Sequence, residues 1–286
     1  MTHPLEMEDF RAMRHVLAPS DFALGSDEPE PSPTDLIPEE AWHGIMDLPD
    51  DVAIRTTSHQ GAHVAILYDL WSAWLDVLPF DGPIGGGMLD AADDFAAALF
   101  NLVHGFYKQA TASLRNALEV MIFACACEAA GGQNTWEGWT RGEKEVRYKK
   151  SSRELRESGR FAKLEAGAEE ETGACLLDNS NTKEKVWSTN LYGRLSNFSH
   201  ARGNTANTKL WNSNGPIYSA EGMRISYCSF LETYALIALI SRISLGRSEF
   251  PSGMRFIFER ENVQQYAPKQ FQTLCEYYAS RMFRPR

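Results

Sequence analysis

Apolar residues spaced at three and four dominate the middle of this chain and restrict it to helix packed on helix. Phe95, Leu99, Leu102, Val103 and Phe106 form one stripe, and Ala110, Leu114, Ala117, Leu118, Met121, Ile122 and Cys125 form a second. This spacing follows the 3.6-residue helical turn and would scatter over both faces of a strand. Gly105 lies between the stripes and admits either a turn or one long kinked helix. Gly131-Gly132 ends the pattern. Ala220 to Leu245 predicts another long helix, apolar enough to be buried on most sides. Ser58 to Val77 predicts the first long helix, with Ser58 as N-cap and Val64, Leu67, Leu70, Trp71 and Trp74 on its apolar face. A last amphipathic helix is predicted over Lys269 to Phe283. Strand signals are few and no repeat of fixed period appears. The expected fold class is all-α, a helical bundle.

The segments between these helices carry weaker signals. Asp81-Gly82-Pro83-Ile84-Gly85-Gly86-Gly87 reads as a turn between helices; it lacks the Gly-Lys-Ser/Thr that a phosphate-binding loop needs. Residues 133–190 read as less regular: a Trp136–Trp139 patch, a charged stretch from Arg141 to Lys163, then a polar loop around Asn179. At the start of the chain, Leu5 to Leu17 suits a short helix, and residues 18–38, with Pro29, Pro31 and Pro33, suit an extended connector. The expected organisation is an acidic, partly extended N-terminal segment over 1–50, then one helical domain over 51–286 with a charged insert at about 133–186.

Charge is unevenly placed. The net charge is -10, yet residues 1–50 hold twelve acids against Arg11 and Arg14 alone. Taken from the totals of 38 acidic and 28 basic residues, these leave 26 of each sign in the rest of the chain. Arg141 to Lys163 holds nine Lys/Arg against four Glu, which is compatible with RNA contact or with a merely solvated face. Five cysteines without a C-x-x-C pair point to small core residues in a reduced cytoplasm. No secretory signal is evident, and the apolar runs are interrupted, as by Glu232 and Arg242, before they would span a bilayer; no membrane partner is expected. His59 and His63 have helical ligand spacing but no Glu between them as in H-E-x-x-H, so neither metal nor other cofactor is expected.

The segment from Trp187 to Ala201 is predicted helical and carries Arg194-Leu195-Ser196-Asn197-Phe198-Ser199-His200. Leu191, Leu195 and Phe198 share its apolar face. Arg194, Asn197 and His200 step round it at about 60° each, with Arg194 and His200 about 9 Å apart along the axis, a gap that a guanidinium and a phosphate bridge. Histidine exchanges protons near neutral pH, and arginine grips phosphate through paired hydrogen bonds. Asn197 is placed to orient either partner. The alternative is that Arg194 pairs with Glu119 or another acid while His200 caps or solvates. Arg115 and Glu119, four apart on an otherwise apolar helix, are expected to form an internal ion pair or a polar tie to this segment.

The Arg-x(4–6)-His pattern resembles the active-site signature of the HEPN ribonuclease superfamily. The preceding elements resemble the first half of such a domain: Ala97 to Val103, a Gly105-Phe106 junction, then a second helix with Ala117-Leu118-Glu119. The resemblance covers roughly residues 90–130 and 187–245. It implies a HEPN-like helical core, Arg194 and His200 as the catalytic pair, metal-free RNA cleavage to a 2′,3′-cyclic phosphate, and a homodimer pooling two motifs. Members often serve as toxins or antiviral effectors. An RNA substrate is then expected to meet Arg147, Lys149, Lys150 and Arg202, and a regulatory protein partner is a further expectation. The competing expectation is a non-catalytic helical sensor or scaffold within a defence or toxin–antitoxin complex; a more distant one is a nucleotide-binding or other small-ligand-binding helical protein.

Overall fold

The middle helix of the chain, apolar on almost every side, organises everything around it. A computed structural model describes residues 38–78, 81–177, 183–199, 216–246 and 252–282. A lead-in of one α-turn (Glu39–Trp42) and a π-helical turn (His43–Asp47) runs into α1 (Leu48–Leu75). There follow α2 (Gly82–Val103), α3 (Tyr107–Ala129), α4 (Gln133–Thr140), α5 (Tyr148–Glu157), α6 (Gly159–Thr172), α7 (Trp187–Ser199) and α8 (Ala220–Leu245). Two short turns precede α9 (Arg260–Tyr266) and α10 (Lys269–Met282). The described residues contain no strand, only an isolated parallel bridge between Cys175 and Val186. The protein is all-α.

Helix α3 packs against α2, α5, α7 and α8, and Leu114, Ala117, Leu118, Met121 and Ile122 are wholly buried. Helix α8 is buried from Ser229 to Ile243 without a break. Helix α1 closes the other side of α2, where the indoles of Trp71 and Trp74 donate to the carbonyls of Ala92 and Met88 at 3.1 and 2.9 Å. Trp74 lies edge-on to Phe95 and Tyr234, and Phe95 also meets Phe230, so α1, α2 and α8 share one aromatic cluster. By length and composition α3 and α8 would suffice to cross a membrane, contrary to the expectation from Glu232 and Arg242; most of each is buried in the body, as core helices are.

Three expectations need correction, and the choice left open at Gly105 is decided. Helical residues in α1 run from Leu48, with Pro49 in the first turn, and break at a kink at Gln60 (φ −130°, ψ 21°), so the predicted start lies close to the kink; the Ser58 hydroxyl, instead of capping, donates back to the Ile54 carbonyl. The glycine-rich run is not a turn; it is the first turns of α2, opened by Pro83. Its glycines serve close packing, since a Cβ on Gly87 would stand 2.5 Å from the Cβ of Ala124, and one on Gly86 2.6 Å from the Trp136 ring. Residues 133–172 form three helices. Their buried stripes hold polar residues (Ser151, Ser152 in α5 and Glu165 in α6), which hid the apolar period. Gly105 makes a turn, with φ +78° and Ile217 so close that any Cβ would meet its carbonyl oxygen at 2.4 Å.

The glycines give a paired prediction. Gly87→Ala is expected to cost about 1–3 kcal/mol through overpacking, despite alanine's better helix propensity. Gly193→Ala in α7, where a Cβ meets nothing within 4 Å, is expected to gain about 0.5–1 kcal/mol. Urea unfolding of both variants reads the difference.

Candidate functional site

Helix α7 is anchored by Trp187, Leu191 and Leu195, all buried. Trp187 stacks on Phe271 of α10 at 5.9 Å, and its indole donates to Glu232 Oε1 of α8 at 2.7 Å. That carboxylate also receives Arg194 Nη2 at 2.5 Å, while Arg194 Nε donates to Asn190 Oδ1, one turn earlier, at 3.2 Å. Arg194 thus pairs with an acid, and the acid is Glu232 rather than Glu119. The Arg194 side chain is 43% exposed and that of Glu232 only 1%. Glu232 Oε2 is buried and has no hydrogen-bond partner among the described residues. Burial pushes the Glu232 carboxyl above the usual range, against the pull of Arg194 and Trp187.

A second polar tie holds the other flank of α7. Arg115 Nε donates to Ser196 Oγ at 3.1 Å, and Nη2 to the Tyr192 hydroxyl at 2.5 Å. Glu119 lies 3.3 Å from Arg115, and the Tyr192 hydroxyl reaches it at 3.5 Å. The Tyr192 ring stacks on Tyr148 of α5 at 3.9 Å, so α3, α5 and α7 are joined here. Burial raises the Glu119 carboxyl, and Arg115 and Tyr192 oppose the shift. The expected internal pair of Arg115 and Glu119 is present and serves as a tie to α7. It does not touch Arg194.

Asn197 is exposed. His200 and Arg202, like Trp211, lie outside the described residues. Comparison with protein-family models, curated proteins and solved structures finds no match to this chain. The functional reading therefore rests on the residues themselves.

Arg147, Lys149 and Lys150 are exposed at the start of α5. Arg147 and Lys150 line a polar groove of about 630 Å³, together with Glu143, Glu145 and Glu154. Lys150 sits 3.6 Å from Glu154, so the groove carries both signs. Much of the basic stretch is engaged internally. Arg141 pairs with Glu143 at 2.9 Å, Arg156 binds Glu165 and Glu169 at 2.9 and 2.7 Å, and Arg160 donates to the Ser244 carbonyl. The remaining candidates sit in packing roles. His59 stacks on Tyr218 and His63 meets Tyr227 edge-on. Trp74, Trp136 and Trp187 are buried, and Trp71 and Trp139 half-buried. All five cysteines are free thiols, four of them buried.

Sequence reasoning missed Glu232 as a partner, although one acid inside an apolar run is itself a signal that a cation waits opposite. It also missed a titrating group on α2. Burial lifts the Asp94 carboxyl to about 6, Asp90 and Asp93 push the same way, and the 2.7 Å bond from Asn116 opposes them. A carboxyl lifted in the folded state favours folding while protonated. Its contribution is complete below the unfolded-state value and is lost as pH rises through about 6. Asp94→Asn is accordingly expected to reduce the fall in Tm between about pH 5 and pH 7, measured by thermal unfolding.

Proposed function

We propose that this chain is a metal-independent endoribonuclease of HEPN type, acting as a toxin or antiviral effector. Arg194 binds the scissile phosphate and His200 is the general acid/base. The observation that carries the proposal is the setting of Arg194, whose Nε and Nη2 are held by Asn190 and Glu232 while 43% of the side chain faces solvent beside exposed Asn197. A guanidinium oriented in advance loses less freedom when an anion arrives. In the reaction the ribose 2′-oxygen gives up its proton and bonds to phosphorus. The P–O5′ bond breaks, and O5′ takes a proton, leaving a 2′,3′-cyclic phosphate and a 5′-hydroxyl. The helix order also supports a HEPN-like core: α2, the Gly105-Phe106 turn, α3 with Ala117-Leu118-Glu119, and an Arg-bearing α7 packed on α3. The resemblance adds a homodimer with two motifs across a cleft.

The test is incubation of the purified protein with end-labelled RNA in excess EDTA, beside His200→Ala. Cleavage leaving cyclic-phosphate ends, lost in the variant, is the expected result. Cleavage that EDTA abolishes, or that survives in the variant, sinks the proposal.

A second reading, a non-catalytic helical sensor or scaffold in a defence or toxin–antitoxin complex, is favoured by a different observation. The Arg194 charge is already countered by Glu232, and Arg141, Arg156 and Arg160 are engaged within the chain. This reading expects His200→Ala to leave function intact and substitutions on exposed aromatic residues to abolish it.

A further inference from the structure

Between α1 and α2 runs an open groove of about 640 Å³ that the proposed RNA chemistry does not use. The two helices are antiparallel, with Trp71 opposite Ala92 and Trp74 opposite Met88. In that register Gly61 and Ala65 come opposite the last turns of α2, and their lack of bulk opens the cleft: a Cβ on Gly61 would meet nothing within 4 Å. Each wall carries a pair of rings. On α1, Tyr68 and Trp71 stand 5.6 Å apart at a tilt of 57°; on α2, Phe100 and His104 stack at 4.0 Å. Tyr68 is 54% exposed and Phe100 59%, so both offer ring surface to an incoming group.

We propose that this groove binds an organic cation, an alkylated ammonium carrying an apolar ring. The apolar ring lies in the cleft, and the ammonium rests on Tyr68 and Trp71 beside Asp69.

Two observations select that ligand. The first is charge. Asp69 is the one carboxylate among the residues lining the groove, and none of them is a lysine or arginine. Asp93, exposed on α2, comes near the same end, one turn before the lining residue Ala96. Neither acid makes an ion pair with a described residue. The faces of aromatic rings carry negative charge density, so Tyr68 and Trp71 add to the attraction of the carboxylates for a cation.

The second is the lack of free hydrogen-bonding groups. The Trp71 indole N–H is engaged by the Ala92 carbonyl, which also holds the ring in place. Thr57 donates its hydroxyl within its own helix, and His104 Nδ1 is 2.8 Å from the Phe100 carbonyl oxygen. A nucleobase or sugar entering here would lose hydrogen bonds to water and regain few. A fully alkylated ammonium has no N–H to satisfy, and an anion meets Asp69 with like charge.

Calorimetric titration of the full chain at low ionic strength tests this. The probe is benzyltrimethylammonium, beside benzyldimethylamine N-oxide, a near-isostere without net charge. The expected result is one saturable site for the cation, with Kd on the order of 0.1–1 mM, and at least about fivefold weaker binding of the N-oxide. Asp69→Asn is expected to weaken cation binding at least about threefold and to leave the N-oxide unchanged. Tyr68→Ala/Phe100→Ala is expected to abolish binding. Ala65→Trp is expected to do so too, by filling the cleft without removing a ring. All four positions are exposed, so the fold is kept in each variant, as unfolding midpoints check. No saturable heat up to about 10 mM cation overturns the proposal. So does equal affinity for the N-oxide, or cation binding that survives the aromatic substitutions. Arg194 and His200 play no part in this readout, so its outcome is independent of the nuclease reading.

Discussion

Glu165→Ala is expected to cost about 3–5 kcal/mol in urea unfolding, a large part of what holds a domain folded. The carboxylate is wholly buried in α6 and is the common acceptor of four donors. These are the backbone N–H groups of Leu176 and Leu177, Arg156 Nη1 at 2.9 Å, and the Tyr278 hydroxyl of α10. Burial pushes its carboxyl above the usual range, and these partners pull it back. Alanine leaves the two amides and the tyrosine facing an empty site, and each orphaned buried donor costs about 1–3 kcal/mol. Arg156 is hurt less, since it keeps Glu169 at 2.7 Å. Glu154→Ala, which removes an exposed partner of Lys150, is expected to change stability by less than about 1 kcal/mol. A Glu165→Ala loss as small as that would show that the four-way junction is dispensable.

In RNA cleavage, Arg194→Ala and His200→Ala are each expected to lower the rate by about 10²–10⁴-fold. The two variants differ in what else they disturb. Arg194→Ala also leaves Glu232 buried without its cation, at a cost of about 2 kcal/mol, because the exposed Arg194 site admits water. Glu232 already has its carboxyl raised by burial, and without Arg194 it rises further. The protonated form then favours the fold, so the variant is expected to lose stability as pH rises past the usual carboxylate range. Arg194→Ala/Glu232→Gln is expected to recover most of that stability while remaining inactive. Unfolding midpoints at acid and neutral pH, taken with single-turnover cleavage rates, separate the lost guanidinium from the stranded carboxylate. Equal activity in wild type and His200→Ala would leave the ion pair as architecture alone.

The long helices were legible because their apolar residues follow the helical turn closely. Ala220 to Leu245 has the predicted bounds in the structure, and α10 starts at the predicted Lys269 and is described to Met282, with Phe283 outside the described residues. Legibility failed where a buried stripe is polar or missing. Ser151, Ser152 and Glu165 occupy core-facing positions of α5 and α6, and Gly85 to Gly87 present no side chain to a packed face. At the candidate site the sequence placed Arg115 with Glu119 and offered an acid as a partner for Arg194. It did not reveal that Arg194 reaches α8, because Glu232 is 38 residues away and only the packing of α7 beside α8 brings the two together.

The placement of α3 also decides how the protein is made. Helix α2 follows directly before it, so these two pair as a local hairpin while the chain is still emerging. The remaining apolar faces of α3 wait for α7 and α8, which end at Ser199 and Leu245. At ribosomal speed that interval is on the order of ten seconds. Throughout it, the faces of α3 that meet α7 and α8 lack the cover they have in the finished fold. The helix that meets most of the other elements in the mature core is thus, during synthesis, one that waits longest for its full cover.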